Sequence, residues 1–132
     1  MDDPVLAVKT ASEALHNNGL KLILAPSGKL TDIYGEQFAP FADAYVLQYQ
    51  AYQKDPLYKS KVISMAEKLR KVNPSIIIIT QVSTLRGSVQ TMEESFSSVK
   101  DHVDGVTMFY GLTEGNFTMV KEFLEFTKQF RQ

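Results

Sequence analysis

The four consecutive isoleucines Ile76–Ile79 constrain the fold of this chain more than any other feature. A run without a polar residue gives a strand no face to turn toward water, so both faces are expected to be covered. Such strands are typical of the parallel sheets of α/β proteins. Asn73-Pro74 ends a helix just before the run, and the polar Gln81 and Ser83 follow it. The run therefore predicts a buried parallel strand with polar side chains at its carboxyl end.

Predicted helices and strands alternate along the rest of the chain. Asp3-Pro4 and Asp55-Pro56 each place a capping acid before a proline, which is typical of a helix start. Elsewhere, helices are predicted from apolar residues at helical spacing, and strands from short β-branched or aromatic runs. The predicted helices span residues 4–17, 31–41, 55–72, 88–100 and 115–130, and the predicted strands span residues 20–25, 43–50, 75–83 and 104–111. One helix followed by four β-α units predicts a single α/β domain over residues 1–132, with a parallel sheet.

The four predicted strands form two similar pairs. Aligning Asn18-Gly19 with Asn73-Pro74 superposes the first and third strands, and aligning Asp43 with Asp104 superposes the second and fourth. Two β-α-β-α modules of similar length indicate an internal duplication. Four β-α units in this order form half of an eight-stranded barrel. The sequence thus predicts a (βα)4 half-barrel with an extra N-terminal helix, and a flavodoxin-like open parallel sheet is the alternative.

Polar or aromatic side chains stand at or just after the predicted carboxyl ends of the strands, where the sites of βα barrels form. These candidate binding residues are Ser27, Gln48, Gln50, Gln81, Ser83 and Tyr110. They are neutral hydrogen-bonding groups or an aromatic, which suits the binding of a sugar or polyol and does not suit proton transfer near neutral pH. Alternatively, they only satisfy one another at the end of the sheet. No strand end supplies the pair of acids that sugar hydrolysis needs.

Other chemistries have weaker support in the sequence. Arg86-Gly87-Ser88 precedes a predicted helix and offers its backbone amides to an anion, as in an enzyme with a phosphorylated substrate. Ser83, His102 and Asp104 have the residue types of a catalytic triad. His102 precedes a strand and Ser83 follows one, so the two are predicted at opposite ends of the sheet. With no cysteine and with His16 as the only other histidine, the chain is predicted to bind neither a metal nor a cofactor.

The charge balance argues against a nucleic-acid or membrane partner. The formal net charge of the 132 residues is -1, which does not attract a polyanion or an anionic membrane. The first residues, Met1-Asp2-Asp3-Pro4, lack an apolar signal core, and no apolar run approaches the length of a membrane span. A soluble, cytoplasmic protein is predicted.

The strand sequences LILAPSG, AYVLQYQ, SIIIITQVS and DGVTMFYG resemble the last four strands of TIM-barrel glycoside hydrolases, most nearly the chitinase-like family 18 group. In that group the sixth strand commonly reads Met-x-Tyr-Asp, and this chain has Leu47-Gln48-Tyr49-Gln50 there. The last strand of the group ends in an aromatic that floors the sugar site, a place that Tyr110 would take. The resemblance implies a glycoside hydrolase-like, carbohydrate-binding half-barrel. Gln50 stands where an acid is usual, and the signature Asp-x-x-Asp-x-Asp-x-Glu is absent, which implies little independent catalysis.

Half of a barrel would leave two unpaired strand edges and an apolar inner face. A second copy is the simplest cover, because two chains in twofold symmetry would close an eight-stranded barrel, so a homodimer is predicted. The alternatives are relaxation into a flavodoxin-like sheet and a longer chain that supplies the missing half. The rival to a carbohydrate-binding function is a structural, self-assembling half-barrel without a ligand.

Overall fold

The computed structural model describes residues 3–130 and has an α/β fold with one four-stranded, all-parallel sheet. Helices and strands alternate along the chain, which confirms the predicted fold class. The strands are β1 (Ile23–Leu24), β2 (Ala44–Leu47), β3 (Ile77–Ser83) and β4 (Gly105–Phe109), and the α-helices are α1 (Pro4–Asn17), α2 (Gly28–Phe38), α3 (Leu57–Val72), α4 (Val89–Val99) and α5 (Glu114–Thr127). Short 3-10 turns follow α2, β2, α4 and α5.

The strands lie in the order β1-β2-β3-β4, each hydrogen-bonded in parallel to the next. A flavodoxin-like sheet has the order 2-1-3-4, so the sequential order excludes that alternative and agrees with the (βα)4 arrangement. Right-handed crossovers that always step in the same direction place every connecting helix on one face of the sheet. The helix contacts agree with this, because the five α-helices pack side by side in chain order.

Side-chain caps decide where the helices begin. The Asp3 carboxylate accepts a hydrogen bond from the backbone amide of Leu6 at 2.9 Å and caps α1. The Ser27 hydroxyl accepts one from the amide of Leu30 at 3.2 Å and caps α2. Helix α2 consequently begins at Gly28, three residues before its predicted start, because the serine supplies a cap that the apolar periodicity did not indicate.

The hydrophobic core lies between the sheet and the layer of helices. Alternate residues of the inner strands point toward the helices and are fully buried: Tyr45, Leu47, Ile78, Thr80 and Val82. The Tyr45 hydroxyl is 2.9 Å from Thr31 Oγ1 of α2, and the Tyr58 hydroxyl of α3 is 2.6 Å from Thr80 Oγ1. Burial raises the pKa of both tyrosines to about 12. They stay protonated at neutral pH and join helices to strands by hydrogen bonds within the core.

No helix of residues 3–130 covers the opposite face of the sheet. Ile23, Ile77 and Phe109 lie there with 66%, 50% and 55% of their surface exposed. The expectation that both faces of the isoleucine strand are covered is therefore wrong for this chain alone, because its helices all lie on one side. We call this surface the open face; it is formed by Ile23, Ala44, Val46, Ile77, Ile79, Gly105, Thr107 and Phe109, of which Ala44 and Val46 at its centre are only 7% and 8% exposed.

An aspartate at the amino end of each strand pair hydrogen-bonds to the neighbouring strand segment and to a helix. Asp43 Oδ2 accepts a hydrogen bond from the backbone amide of Leu22 at 2.7 Å and lies 2.7 Å from His16 Nε2 of α1. Asp104 repeats the arrangement, because its Oδ2 accepts from the amide of Ile78 at 2.9 Å and binds an arginine of α3. Both acids lie at the amino edge of the sheet, and the repeated contact supports the predicted similarity of the two strand pairs.

Candidate functional site

A cleft lies at the carboxyl ends of β2, β3 and β4, on the side of the open face. It has a volume of about 480 Å³ and is lined by Gln48, Gln50, Ser83, Leu85, Arg86 and Phe109. We call it the strand-end cleft. Three of the six residues predicted to bind a ligand, Gln48, Gln50 and Ser83, therefore lie together in it.

Gln48 and Gln81 form a short row of amides across the sheet. Leu47 pairs with Thr80 in the β2–β3 register. The next residues, Gln48 and Gln81, therefore lie side by side on the open face. Gln81 Nε2 lies 3.5 Å from Gln48 Oε1, and Gln48 Nε2 donates to the carbonyl oxygen of Ala25. The longer of these contacts is weak, so the Gln81 amide keeps hydrogen-bonding capacity at the edge of the cleft.

Gln50 and Ser83 form the deep wall of the strand-end cleft. The Ser83 hydroxyl is buried and accepts a hydrogen bond from the backbone amide of Leu85 at 3.0 Å. Gln50 Oε1 is shielded from solvent and has no hydrogen-bond donor among the described residues. A buried acceptor without a donor costs about 1 to 3 kcal/mol, so a rotation of the Gln50 side chain that turns Oε1 into the cleft, toward a ligand hydroxyl, would recover this free energy.

Gln53 holds this wall in place, although no sequence pattern distinguishes it. The buried Gln53 Oε1 accepts from the backbone amide of Ser83 at 2.7 Å, and its Nε2 donates to the Ser83 carbonyl oxygen at 3.0 Å. Gln53 Nε2 also donates to Thr91 Oγ1, and the Ser95 hydroxyl donates to the Gln53 carbonyl oxygen. These contacts fix the end of β3 to the loop after β2. A glutamine in a polar loop carries no local signal that distinguishes such a role from solvent exposure.

Ser27 and Tyr110 do not line the strand-end cleft. The Ser27 side chain caps α2, although its backbone forms an isolated parallel bridge with Gln48. Tyr110 follows Phe109 and points to the other side of the sheet, where its ring packs edge-on against Phe117 of α5 at 6.1 Å between centroids. Phe109 is the aromatic residue that lines the cleft. The sequence pattern identified the end of this strand as a candidate binding segment and indicated Tyr110, whereas the preceding residue, Phe109, lines the cleft.

The cleft contains no group suited to acid–base catalysis of glycoside cleavage. Such cleavage normally uses two carboxyl groups about 5 to 10 Å apart. No carboxylate is among the described residues that line the cleft, and Arg86 is the charged side chain there. The hydroxyl of Ser88 accepts from the Thr91 amide at 3.3 Å as the cap of α4, so this part of the predicted anion site serves the helix.

The structure offers no support for a triad or a metal centre. Ser83 ends β3 and His102 precedes β4, so the two lie at opposite ends of the sheet, as predicted. In the described part of the chain, no group of three or more histidine, aspartate or glutamate side chains could hold a metal ion. Within residues 3–130, no helix combines the length and the apolar composition that a membrane span requires.

Comparison with known proteins adds no functional assignment. No protein-family model, curated protein or solved structure matches the chain. The functional interpretation therefore depends on the residues of the strand-end cleft and on the architecture that positions them.

Proposed function

We propose that this chain is a carbohydrate-binding (βα)4 half-barrel without hydrolytic activity of its own. The observation that carries the proposal is the lining of the strand-end cleft, where the amides of Gln48 and Gln50 adjoin the apolar side chains of Leu85 and Phe109. A sugar presents the complementary surface, since its hydroxyls donate and accept hydrogen bonds and its C–H faces pack on apolar side chains. Polar groups fix the orientation of such a ligand, and the apolar surface contributes burial.

The hydrogen-bonding state of the cleft supports a ligand that carries hydroxyl groups. Gln50 Oε1 accepts no hydrogen bond from the described residues, and the contact between Gln81 and Gln48 is long. A hydroxyl group can both donate to an amide oxygen and accept from an amide nitrogen. One sugar ring has several hydroxyls at fixed spacing and can form hydrogen bonds with the amides of Gln50 and Gln81 at the same time.

Binding without cleavage is the function that the lining residues favour. The position that carries an acid in the chitinase-like group is Gln50 here, and an amide cannot transfer a proton to a leaving group near neutral pH. Arg86 introduces one positive charge at the rim, which would also accommodate a sugar with a carboxylate or phosphate group.

A structural role is the second candidate, and the open face favours it. Ile23, Ile77 and Phe109 expose half or more of their surface, which is unusual for apolar strand residues on a contiguous sheet face. Pairing with a complementary half-barrel would bury them, since closed barrels have no free edges. In this case the strand-end cleft has no ligand, and the protein acts through assembly.

Isothermal titration calorimetry with N-acetylated chitotetraose, and with cellotetraose in parallel, tests the first proposal. We expect saturable binding at millimolar ligand, and at least tenfold weaker binding, about 1.4 kcal/mol, after Phe109→Ala. Tyr110→Ala is the matched control, because its ring lies on α5 outside the cleft, and it should change the affinity less than twofold. Incubation with either oligosaccharide should release no reducing ends.

Two results would contradict a carbohydrate-binding function. One is the absence of saturable heat with these oligosaccharides and of any signal on a glycan array. The other is an equal loss of binding in the Phe109 and Tyr110 variants, which would mean that the oligosaccharide does not bind specifically in the strand-end cleft. A defined oligomer without glycan binding would favour the structural role instead.

A further inference from the structure

The chain exposes more surface than its mass requires. Its accessible surface is 7908 Å² at a mass of 14.8 kDa, whereas a compact monomer of that mass exposes about 7000 Å². The surplus of about 900 Å² is close to the ~800 Å² that each partner contributes to a standard protein–protein interface. The exposed side chains of Ile23, Ile77 and Phe109 contribute part of this exposed area on the open face.

Both edges of the sheet are available to a partner. In the described chain β1 is paired with β2 alone and β4 with β3 alone. An unpaired parallel edge presents a row of free amide and carbonyl groups, and barrel closure is the arrangement that removes both edges and covers the inner face in one step. The occupant of the open face should therefore be a parallel sheet.

The seams between strands decide which parallel sheet fits. In a βα barrel each helix packs outside the seam between two neighbouring strands, so eight strands hold eight helices. Helices α2, α3 and α4 fill the three seams within this sheet. Helix α1 packs on α2 beyond β1, and α5 packs on α4 beyond β4, where the rings of Phe96 and Phe123 are 6.2 Å apart. The two outer seams of the half-barrel are thus already filled.

A second complete copy would bring too many helices. Two chains of four strands and five α-helices each make eight strands and ten α-helices. Where β4 of one copy meets β1 of the other, α5 of the first and α1 of the second require the same seam. We infer that the open face binds a unit of four parallel strands and three helices, a β-α-β-α-β-α-β segment that begins and ends in a strand. This inference rests on the half-barrel architecture and is independent of the proposed ligand.

Sedimentation equilibrium of the intact chain tests the seam argument. Val5 and Val8 are half-buried and anchor α1 to the core, whereas Leu6 on the same helix is 56% exposed. The double variant Val5→Asp/Val8→Asp should release α1, free the seam and dimerise at least tenfold more tightly than the wild type. Leu6→Asp is the matched control and should behave as the wild type does. A wild-type dimer as tight as that of the double variant would overturn the inference, as would a folded but monomeric double variant.

Co-expression is a second test, in which a truncated copy of the chain stands in for the partner and circular dichroism of the purified complex checks that both chains are folded. Tagged residues 20–112 contain β1 to β4 and α2 to α4, which are four strands and three α-helices. Tagged residues 20–132 add α5 and fill one more seam. The untagged full chain should co-purify with residues 20–112 in a 1:1 ratio, and at least tenfold less with residues 20–132. Equal recovery with the two fragments, or recovery with neither when both are soluble and folded, would overturn the inference.

Discussion

The two faces of the sheet are built by the same strands and have opposite surroundings. Ile78 points to the helices and is fully buried, whereas the preceding residue, Ile77, lies on the open face with 50% of its surface exposed. The two side chains are chemically identical, so their positions relative to the helix layer make the whole difference. A strand that is apolar on both faces therefore predicts that both faces of the sheet are buried. It does not predict that the same chain buries both of them.

The largest expected effect comes from truncating the buried isoleucine. Ile78→Ala removes packed methyl groups from the core and should lower the free energy of unfolding by about 3 kcal/mol. Ile77→Ala is the matched control on the open face and should cost less than about 1 kcal/mol. Urea denaturation followed by circular dichroism measures both values. Equal losses would mean that the open face is packed in solution and that the comparison of the two faces fails.

A smaller effect is expected from the polar contacts on the helix face. The buried Tyr58 hydroxyl is 2.6 Å from Thr80 Oγ1 and donates to the carbonyl oxygen of Gln81 at 3.1 Å. Tyr58→Phe leaves these groups without a partner and should cost about 1 to 2 kcal/mol in urea denaturation. Tyr110→Phe, at a half-exposed ring, should change the free energy of unfolding by less than about 0.5 kcal/mol. Similar costs in the two variants would argue against a buried hydrogen-bond network between α3 and β3.

The fold could be predicted from the sequence because its local signals agree with one another. The caps, the apolar periodicities and the strand runs all indicated alternating helices and strands, and the sequential strand order followed from the half-barrel hypothesis. Strand length was harder to predict. Residues 20–25 were expected to form a strand, but only Ile23–Leu24 pairs with β2, because the Leu20 amide donates to the Leu15 carbonyl of α1 and the Leu22 amide donates to the Asp43 side chain. Pairing depends on the neighbouring strand as well as on the segment itself.

The candidate site could be predicted in part. Gln48 and Ser83 were found because polar side chains after apolar strands collect at one edge of a parallel sheet. Phe109 was missed in favour of Tyr110, because the choice between adjacent residues depends on the register of β4, which its sequence leaves open. The role of Gln53 depends on contacts with residues far along the chain. No local pattern contains that information.

Acid should weaken the fastening at the amino edge of the sheet. The hydrogen bond with His16, followed by that from the Leu22 amide, holds the pKa of Asp43 below its ordinary value of 3.8. A carboxyl group whose folded pKa is lowered stabilises the fold above pH 3.8, and this contribution is lost as the pH falls through the folded pKa. Asp43→Asn should cost about 1 kcal/mol at pH 7, and the difference from the wild type should shrink below pH ~3.

Urea denaturation at a series of pH values measures this difference. Asp101→Asn is the matched control, because its carboxylate is largely exposed and, among the described residues, pairs only with the adjacent Lys100. It should leave the stability unchanged at every pH. A cost of Asp43→Asn that stays constant from pH 7 to pH 3 would show that the hydrogen-bond acceptors of the side chain, and not its charge, join α1 to the sheet.

The smallest expected effect concerns the open face itself. Phe109→Ser removes an exposed ring that contacts little of the core and should change the free energy of unfolding by only about 0.5 kcal/mol. The same change should lower the fluorescence of the apolar dye ANS, which binds contiguous apolar surface. Leu112→Ser is the matched control, because Leu112 is 84% exposed in the loop after β4 and lies outside the open face. Equal loss of dye binding in the two variants would mean that ANS binds to separate exposed apolar side chains and not to one continuous surface. A loss confined to Phe109→Ser would locate one continuous apolar surface on the open face, although the fold of the chain does not need that ring.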